Sequence, residues 1–165
     1  MGVEAIVLDY SEIVPGRLWV GGYVCADEVP KLRQIGITTV FSLQTDEDLR
    51  HFGISSQELA LAYASAGIEF RRQPTPDFDR EALARNLPEV VARIENMLAN
   101  PHVRLYLHCT AGAIRSATAA AGFLMRSRGI SAYEACTFLT SRRYCNPTIE
   151  ILESYEISLS GASHE

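Results

Sequence analysis

Cysteine is scarce in this chain, and its spacing offers no pairing. Cys25, Cys109, Cys136 and Cys145 contain no C-x-x-C step, which argues against a zinc site and against the disulfide framework of a small secreted domain. Cys25 and Cys136 read as small buried hydrophobes. No apolar run reaches the roughly 20 residues of a membrane span, so no membrane partner is expected. Met1-Gly2-Val3-Glu4 lacks the basic start of a secretory signal, which leads us to expect a cytoplasmic chain, or a plastid one if a transit peptide has been removed. Lysine is nearly missing: 14 of the 15 basic residues are arginine and only Lys31 is lysine, a bias from which no function is read. A formal charge of -5 argues against a general nucleic-acid binder, which needs a broad basic surface. Repeats, low-complexity tracts and internal linkers are also lacking. What remains is 165 residues, 47% hydrophobic and 21% charged, enough for one core. We expect a single domain over residues 1–165, acting as a monomer.

Periodicity orders the chain. Ile13-Val14 reads as an approach, Pro15-Gly16 as a turn, and Arg17 to Gly22 as a short strand closed by two glycines. A helix follows, with Asp27 as its N-cap, Pro30 in its first turn and Gly36 after its end. Thr38 to Leu43 is a buried strand, and Gln44-Thr45-Asp46-Glu47-Asp48 leaves it as an acidic loop. Leu59, Ala62, Tyr63 and Ala66 mark a second helix before Gly67, and Ile68 to Arg72 a third strand. Pro74-Thr75-Pro76 stiffens the exit toward Asp77-Phe78-Asp79. A turn over Arg80 to Asn86 leads to a helix that starts near Pro88, with Val90, Val91, Ile94, Met97 and Leu98 as its apolar stripe. Leu105 to Leu107 is the last strand. Helices are predicted over Thr118–Arg128, from Ser131 through Leu139, and after Thr148, with Arg142 to Pro147 as a polar loop. Strands alternating with helices predict an α/β layered domain, its largely parallel central sheet flanked by helices.

The chemistry concentrates in His108-Cys109-Thr110-Ala111-Gly112-Ala113-Ile114-Arg115-Ser116. A strand that runs into small residues and then a helix gathers backbone N–H groups around one point at a helix N-terminus, where anions bind. Those groups favour a thiolate on Cys109. Arg115 closes the loop with a planar fork suited to two phosphate oxygens, and Gly112 permits the tight backbone path. Thr110, Ala111, Gly112, Ala113 and Ile114 are thus a phosphate-binding loop, Cys109 its nucleophile and Ser116 a hydrogen-bond donor to the departing thiolate. His108 reads as structural.

Phosphoryl transfer to a thiolate also needs an acid for the leaving oxygen. Asp79 stands just before a helical turn, where capping accounts for it, and Asp46-Glu47-Asp48 reads as a solvated cluster. Asp77 has no evident structural task and is the chosen acid, able afterwards to activate water against the cysteinyl phosphate. No metal or cofactor is called for.

HCTAGAIRS resembles the signature of the cysteine-based protein tyrosine phosphatase superfamily, in its dual-specificity branch. Pro76-Asp77-Phe78-Asp79, Leu87-Pro88, Ser141-Arg142-Arg143, Ser42 to Asp48 and Phe52-Gly53 are similar to the glucan phosphatases of the laforin, starch-excess and like-starch-excess types. The likeness runs from about Tyr10 to Tyr155 and implies the dual-specificity phosphatase fold, with a recognition segment over about 10–80 and a catalytic core over about 77–157. It implies Cys109 as nucleophile, Arg115 as phosphate ligand and Asp77 as acid. Phe52 and Phe78 match aromatic positions of that family's substrate channel, joined by Asn146. Ile114 stands where the family has glycine, and Asn146 and Thr148 stand where plant members carry an aromatic and a lysine.

The expected activity is therefore metal-independent hydrolysis of a phosphomonoester through a cysteinyl phosphate, on a phosphorylated glucan. The alternatives are a dual-specificity phosphoprotein phosphatase and, of another class, a weak phosphate- or glycan-binding module whose loop Ile114 has impaired. Redox control through Cys109 paired with Cys25 or Cys145 is a further expectation.

Overall fold

The computed structural model describes residues 8–162; the Met1–Glu4 stretch lies outside them. Five strands form one sheet in the order β1-β2-β5-β3-β4, where β1 is Tyr10–Val14, β2 Leu18–Gly21, β3 Thr39–Ser42, β4 Glu69–Arg72 and β5 Leu105–His108. The pairs β2·β5, β5·β3 and β3·β4 are parallel. Only β1 runs antiparallel, joined to β2 through the Pro15–Gly16 turn. The sequence marks only an approach at Ile13-Val14, because Ile13 alone of the strand's five residues is buried, too little for a strand's apolar alternation.

Parallel strands need long crossovers, and the helices that supply them cover both faces. Strand period 2 divides each central strand between two cores. Leu18, Val20, Phe41, Leu105 and Leu107 face one side, against α4 (Arg80–Leu98), α5 (Arg115–Arg128), α6 (Ala132–Arg142) and α7 (Ile149–Ala162). Trp19, Val40 and Tyr106 face the other, with Leu32 of α1 (Val29–Gln34) and Leu59 and Tyr63 of α3 (Ser56–Ala66). A residue such as Leu107, wholly buried, contributes about 2 kcal/mol by burial alone. On α5, Ala119, Ala120 and Ala121 are all buried, and Gly122 leaves room for Val91 and Leu87 of α4, the nearest atoms its missing side chain would meet.

Three local readings are corrected. Asp27 does not cap the first helix: it lies inside a 3₁₀ turn, Ala26–Glu28, in which the Cys25 N–H donates to Glu28 Oε1 at 3.0 Å. The acidic stretch after β3 is not a loop but opens a helix, α2 (Asp46–His51). Thr45 Oγ1 accepts from the Asp48 N–H at 3.1 Å while Asp48 Oδ2 accepts from the Thr45 N–H at 2.9 Å, a reciprocal cap. Finally, α4 starts at Arg80, capped by Asp79, and continues through Pro88. Pro88 leaves the carbonyl of Ala84 without its helical donor, but both residues are on the exposed side, open to solvent. Within the expected single domain, β5 of the catalytic segment is inserted between β2 and β3 of the recognition segment, so the two share one sheet.

Candidate active site

Strand β5 ends at His108 in the middle of the sheet, so Cys109 emerges among the ends of the other parallel strands, where open α/β sheets place their ligands. The loop that follows is held by its carbonyls. Thr110 O accepts from the Tyr23 N–H at 2.9 Å, Gly112 O from Arg143 Nε at 3.0 Å, Ala113 O from the Asn146 N–H at 2.7 Å and Ile114 O from the Thr118 N–H at 2.8 Å. In a trans peptide the N–H points opposite the C=O. With the carbonyls drawn outward, the N–H groups of Ala111, Ala113, Ile114 and Arg115 turn toward the loop's centre, at the N-terminus of α5. Among the described residues no backbone or side-chain acceptor takes the N–H groups of residues 110–114. Gly112 makes this path possible at φ 69°, because a Cβ there would lie 2.5 Å from the Gly21 carbonyl oxygen.

Cys109 lies at the bottom, 3% exposed, with its Sγ 3.2 Å from Ser116 Oγ. The hydroxyl is placed to donate to a thiolate. His108 Nδ1 stands 2.9 Å from the Cys109 carbonyl oxygen, and complete burial lowers its pKa to about 4. The ring is therefore neutral near pH 7, with Nδ1 placed to donate to that carbonyl.

Arg115, 3% exposed at its side chain, crosses beside the loop. Its Nη1 donates to Asp48 Oδ2 at 2.7 Å and to Thr75 O at 2.9 Å, and its Nη2 to Thr110 Oγ1 at 3.2 Å. Asp77 Oδ2 is 3.3 Å from the same Nη2. Among the described residues its buried Nε has no partner. Thr110 is steadied in turn by Gln44 Nε2 at 3.1 Å, and Arg72 grips the Gln44 carbonyl at 3.0 Å.

Two carboxylates thus meet Arg115, and they differ. Asp48 is fixed by its helix cap and its side chain is 16% exposed; hydrogen bonds from Arg115 and Thr45 outweigh desolvation and hold its pKa below the usual value. Asp77 is 30% exposed and faces a cleft of about 410 Å³. The next residue, Phe78, takes φ 57°, a left-handed conformation costly for a bulky side chain. Its N–H donates to Asp77 Oδ1 at 3.1 Å, and its ring is 95% exposed at the cleft's edge. Phe78, Ile114 and Asn146 line this cleft with Leu83 and Ile149, and an Arg80–Glu150 ion pair at 3.5 Å belongs to the same wall.

Phe52 is not brought into it. Its ring stacks on Tyr23 at 4.7 Å and lines a separate depression with Cys25, Asp27 and Glu58. Neither Asp48 nor Arg143 was singled out as a site residue from the sequence. Arg143, almost wholly buried, donates to Gly112 O, to Val20 O at 2.8 Å, to Ser11 Oγ at 3.2 Å and to Asp9 Oδ2 at 2.9 Å. The signal for Asp48 was the Thr45-x-x-Asp48 capping pattern; for Arg143 the resemblance over Ser141–Arg143 was the sole hint. All four cysteines are free. Cys25, Asp27 and Glu28 have ligand-type atoms within 4.8 Å of one another, a proximity that the capping of the 3₁₀ turn explains.

Comparison with known proteins follows the same lines. The family model for the dual specificity phosphatase catalytic domain matches residues 18–155. The amyloplastic phosphoglucan phosphatase DSP4 of Castanea sativa is 31% identical over 150 residues, covering 89% of this chain and 40% of that protein. Laforin of Mus musculus is 27% identical over 150 residues, covering 82% of this chain and 44% of its own length. The chain therefore spans less than half of these relatives. Among solved structures, PTPMT1 in complex with PI(5)P superposes with a TM-score of 0.75 at 20% identity, over 94% of this chain and 99% of that one.

Proposed function

The chain belongs to the dual-specificity phosphatases, and from that premise we propose that it removes phosphate from phosphorylated glucan, with Cys109 as nucleophile, Arg115 as phosphate ligand and Asp77 as acid. The observation that carries the chemistry is the buried, unpartnered Nε of Arg115 beside a loop of unclaimed N–H groups. A phosphate's oxygens are the acceptors that this arrangement lacks. In the first step the Cys109 thiolate forms a bond to phosphorus as the ester P–O bond breaks, and Asp77 gives its proton to the leaving oxygen. In the second, Asp77 takes a proton from water, the water oxygen bonds to phosphorus, and the thiolate departs against the Ser116 hydroxyl.

Support for a glucan comes from the relatives named phosphoglucan phosphatase and from the cleft. Phe78 offers an open ring face beside the acid, and the cleft's second cation, Arg80, is already paired with Glu150. That suits one phosphate on an uncharged carrier better than a polyanionic phosphoinositide. The reading favours phosphate release from solubilised phosphoglucan over phosphotyrosine and phosphoserine peptides and phosphoinositides, with a raised KM for glucan alone in Phe78→Ala. Equal or better turnover of phosphopeptides would overturn the glucan substrate. Wild-type hydrolysis of an aryl phosphate by Cys109→Ser would overturn the chemistry.

The position of Phe52 outside the cleft favours the second reading, a phosphoprotein phosphatase, because it removes one wall of the expected aromatic channel. Because the Castanea sativa relative is amyloplastic, a plastid is the alternative to a cytoplasmic location.

A further inference from the structure

Thr110, Ala111, Gly112 and Ala113 of the phosphate loop are small, and Ile114 alone carries a large apolar side chain. Local physics argues against it there. Ile114 is the N-cap of α5 and makes no side-chain cap bond, whereas serine, threonine, aspartate or asparagine would satisfy an N–H of the first turn and isoleucine ranks among the poorest choices. Nor does it serve the interior. It belongs to neither apolar cluster and is 38% exposed, so burial gains little from it. Sequences break such local rules chiefly at functional sites.

The cleft shows what the side chain meets. Ile114 lines it together with Asp77 and Arg115, and Phe78, Leu83 and Ile149 extend the same apolar wall. Cys109 and Arg115 are only 3% and 2% exposed. A P–O–C link is short, so a phosphate that reaches these two residues brings the carbon bearing it in beside Ile114. Two branches on Cβ stiffen isoleucine about χ1, and it does not swing aside as a straight side chain would.

We propose that Ile114 is a specificity-determining residue, which narrows the way to the phosphate loop so that phosphate is taken from an unhindered ester carbon, such as the CH2 of a primary alcohol, in preference to one flanked by branches. The proposal rests on the phosphatase reading above and on the cleft's shape, and is separate from the choice between glucan and phosphoprotein.

The test compares two dimethylphenyl phosphates of similar leaving-group acidity, one with both methyl groups meta to the ester and one with both ortho, and likewise α-glycerol phosphate with β-glycerol phosphate. Wild type, Ile114→Gly and Ile114→Ser are assayed for kcat/KM, and folding is followed by thermal melting. Wild type should favour the meta isomer and the α-ester by on the order of 10-fold, the discrimination that one misplaced methyl group commands in an apolar pocket. In both variants that preference should shrink about fivefold because the hindered esters are hydrolysed faster. Ile114→Ser, the better cap, should also melt higher. A wild type indifferent to the flanks of the ester carbon would overturn the proposal. So would variants that keep the wild-type preference, or in which it shrinks only through loss of the unhindered esters, since Ile114 would then support the loop's shape and not set the cleft's width. Failure of the phosphatase reading is distinct, because wild type would then hydrolyse none of the four esters in a manner dependent on Cys109.

Discussion

Cys109 Sγ and Ser116 Oγ stand 3.2 Å apart, buried together at the start of α5. If that hydroxyl steadies the thiolate as it leaves phosphorus, Ser116→Ala will slow breakdown of the cysteinyl phosphate and spare its formation. Rapid-quench measurements should then show a burst near one phosphate per enzyme, with kcat lowered about 10- to 100-fold and kcat/KM almost unchanged. Equal losses in both parameters would assign Ser116 to the first step.

Gly112 and Gly53 share nearly the same backbone angle, φ 69° and 66°, but not the same surroundings. A Cβ at 112 would press on the Gly21 carbonyl at 2.5 Å and on Arg143 Nη2 at 2.9 Å, whereas among the described residues nothing beyond the adjoining ones lies within 4 Å of one at 53. Gly53→Ala should cost about 1 kcal/mol, the strain of the left-handed conformation alone. Gly112→Ala should cost clearly more, about 2–4 kcal/mol, and abolish oxyanion binding. Urea unfolding and phosphate inhibition would measure the two effects.

His108 makes stability depend on pH. Burial drops its pKa from 6.5 to about 4, so between those values the unfolded chain binds the proton that the folded chain refuses. Stability therefore rises with pH through this window, fully present above 6.5 and lost as pH falls toward 4. The imidazole should account for about 2 kcal/mol between pH 4.5 and 7. Urea midpoints at the two pH values should differ less in His108→Gln. Asp48, whose pKa is lowered below its ordinary 3.8, acts with the same sign but only at more acid pH.

Pro88 stands exposed in the interior of α4. Pro88→Ala restores a donor for Ala84 and improves helix propensity, so the variant should gain about 1–2 kcal/mol, read as a higher melting temperature with unchanged kinetics.

The four parallel strands and the strand-loop-helix path around Cys109 were legible in the sequence because local apolar runs and a short motif carry them, whereas β1, with Ile13 alone buried, was not. The cap at Asp79 and the left-handed glycines at 67 and 129 lie where pattern alone put them, and β5 runs one residue past its expected end at Leu107. Misreadings arose where two local signals competed. At Pro88 the proline outweighed an apolar stripe, Leu83, Leu87, Val90, Val91 and Ile94, that runs unbroken across it. At Thr45–Asp48 acidity concealed a capping box. What local pattern does not carry is contact between distant segments: Asp48 meets Arg115 across 67 positions, and Phe52 is turned from the cleft by its stack on Tyr23.

Arg143 joins Asp9, Ser11, Val20 and Gly112, reaching back 134, 132, 123 and 31 positions along the chain. A chain released only as far as α6 would already contain the cysteine, the loop and Arg115, yet the Gly112 carbonyl would have no guanidinium to hold it and the Ala113 carbonyl no Asn146 N–H. The capacity to seize phosphate therefore waits on Arg143, 28 residues after the arginine that binds it, so the loop's sequence is complete before its shape is.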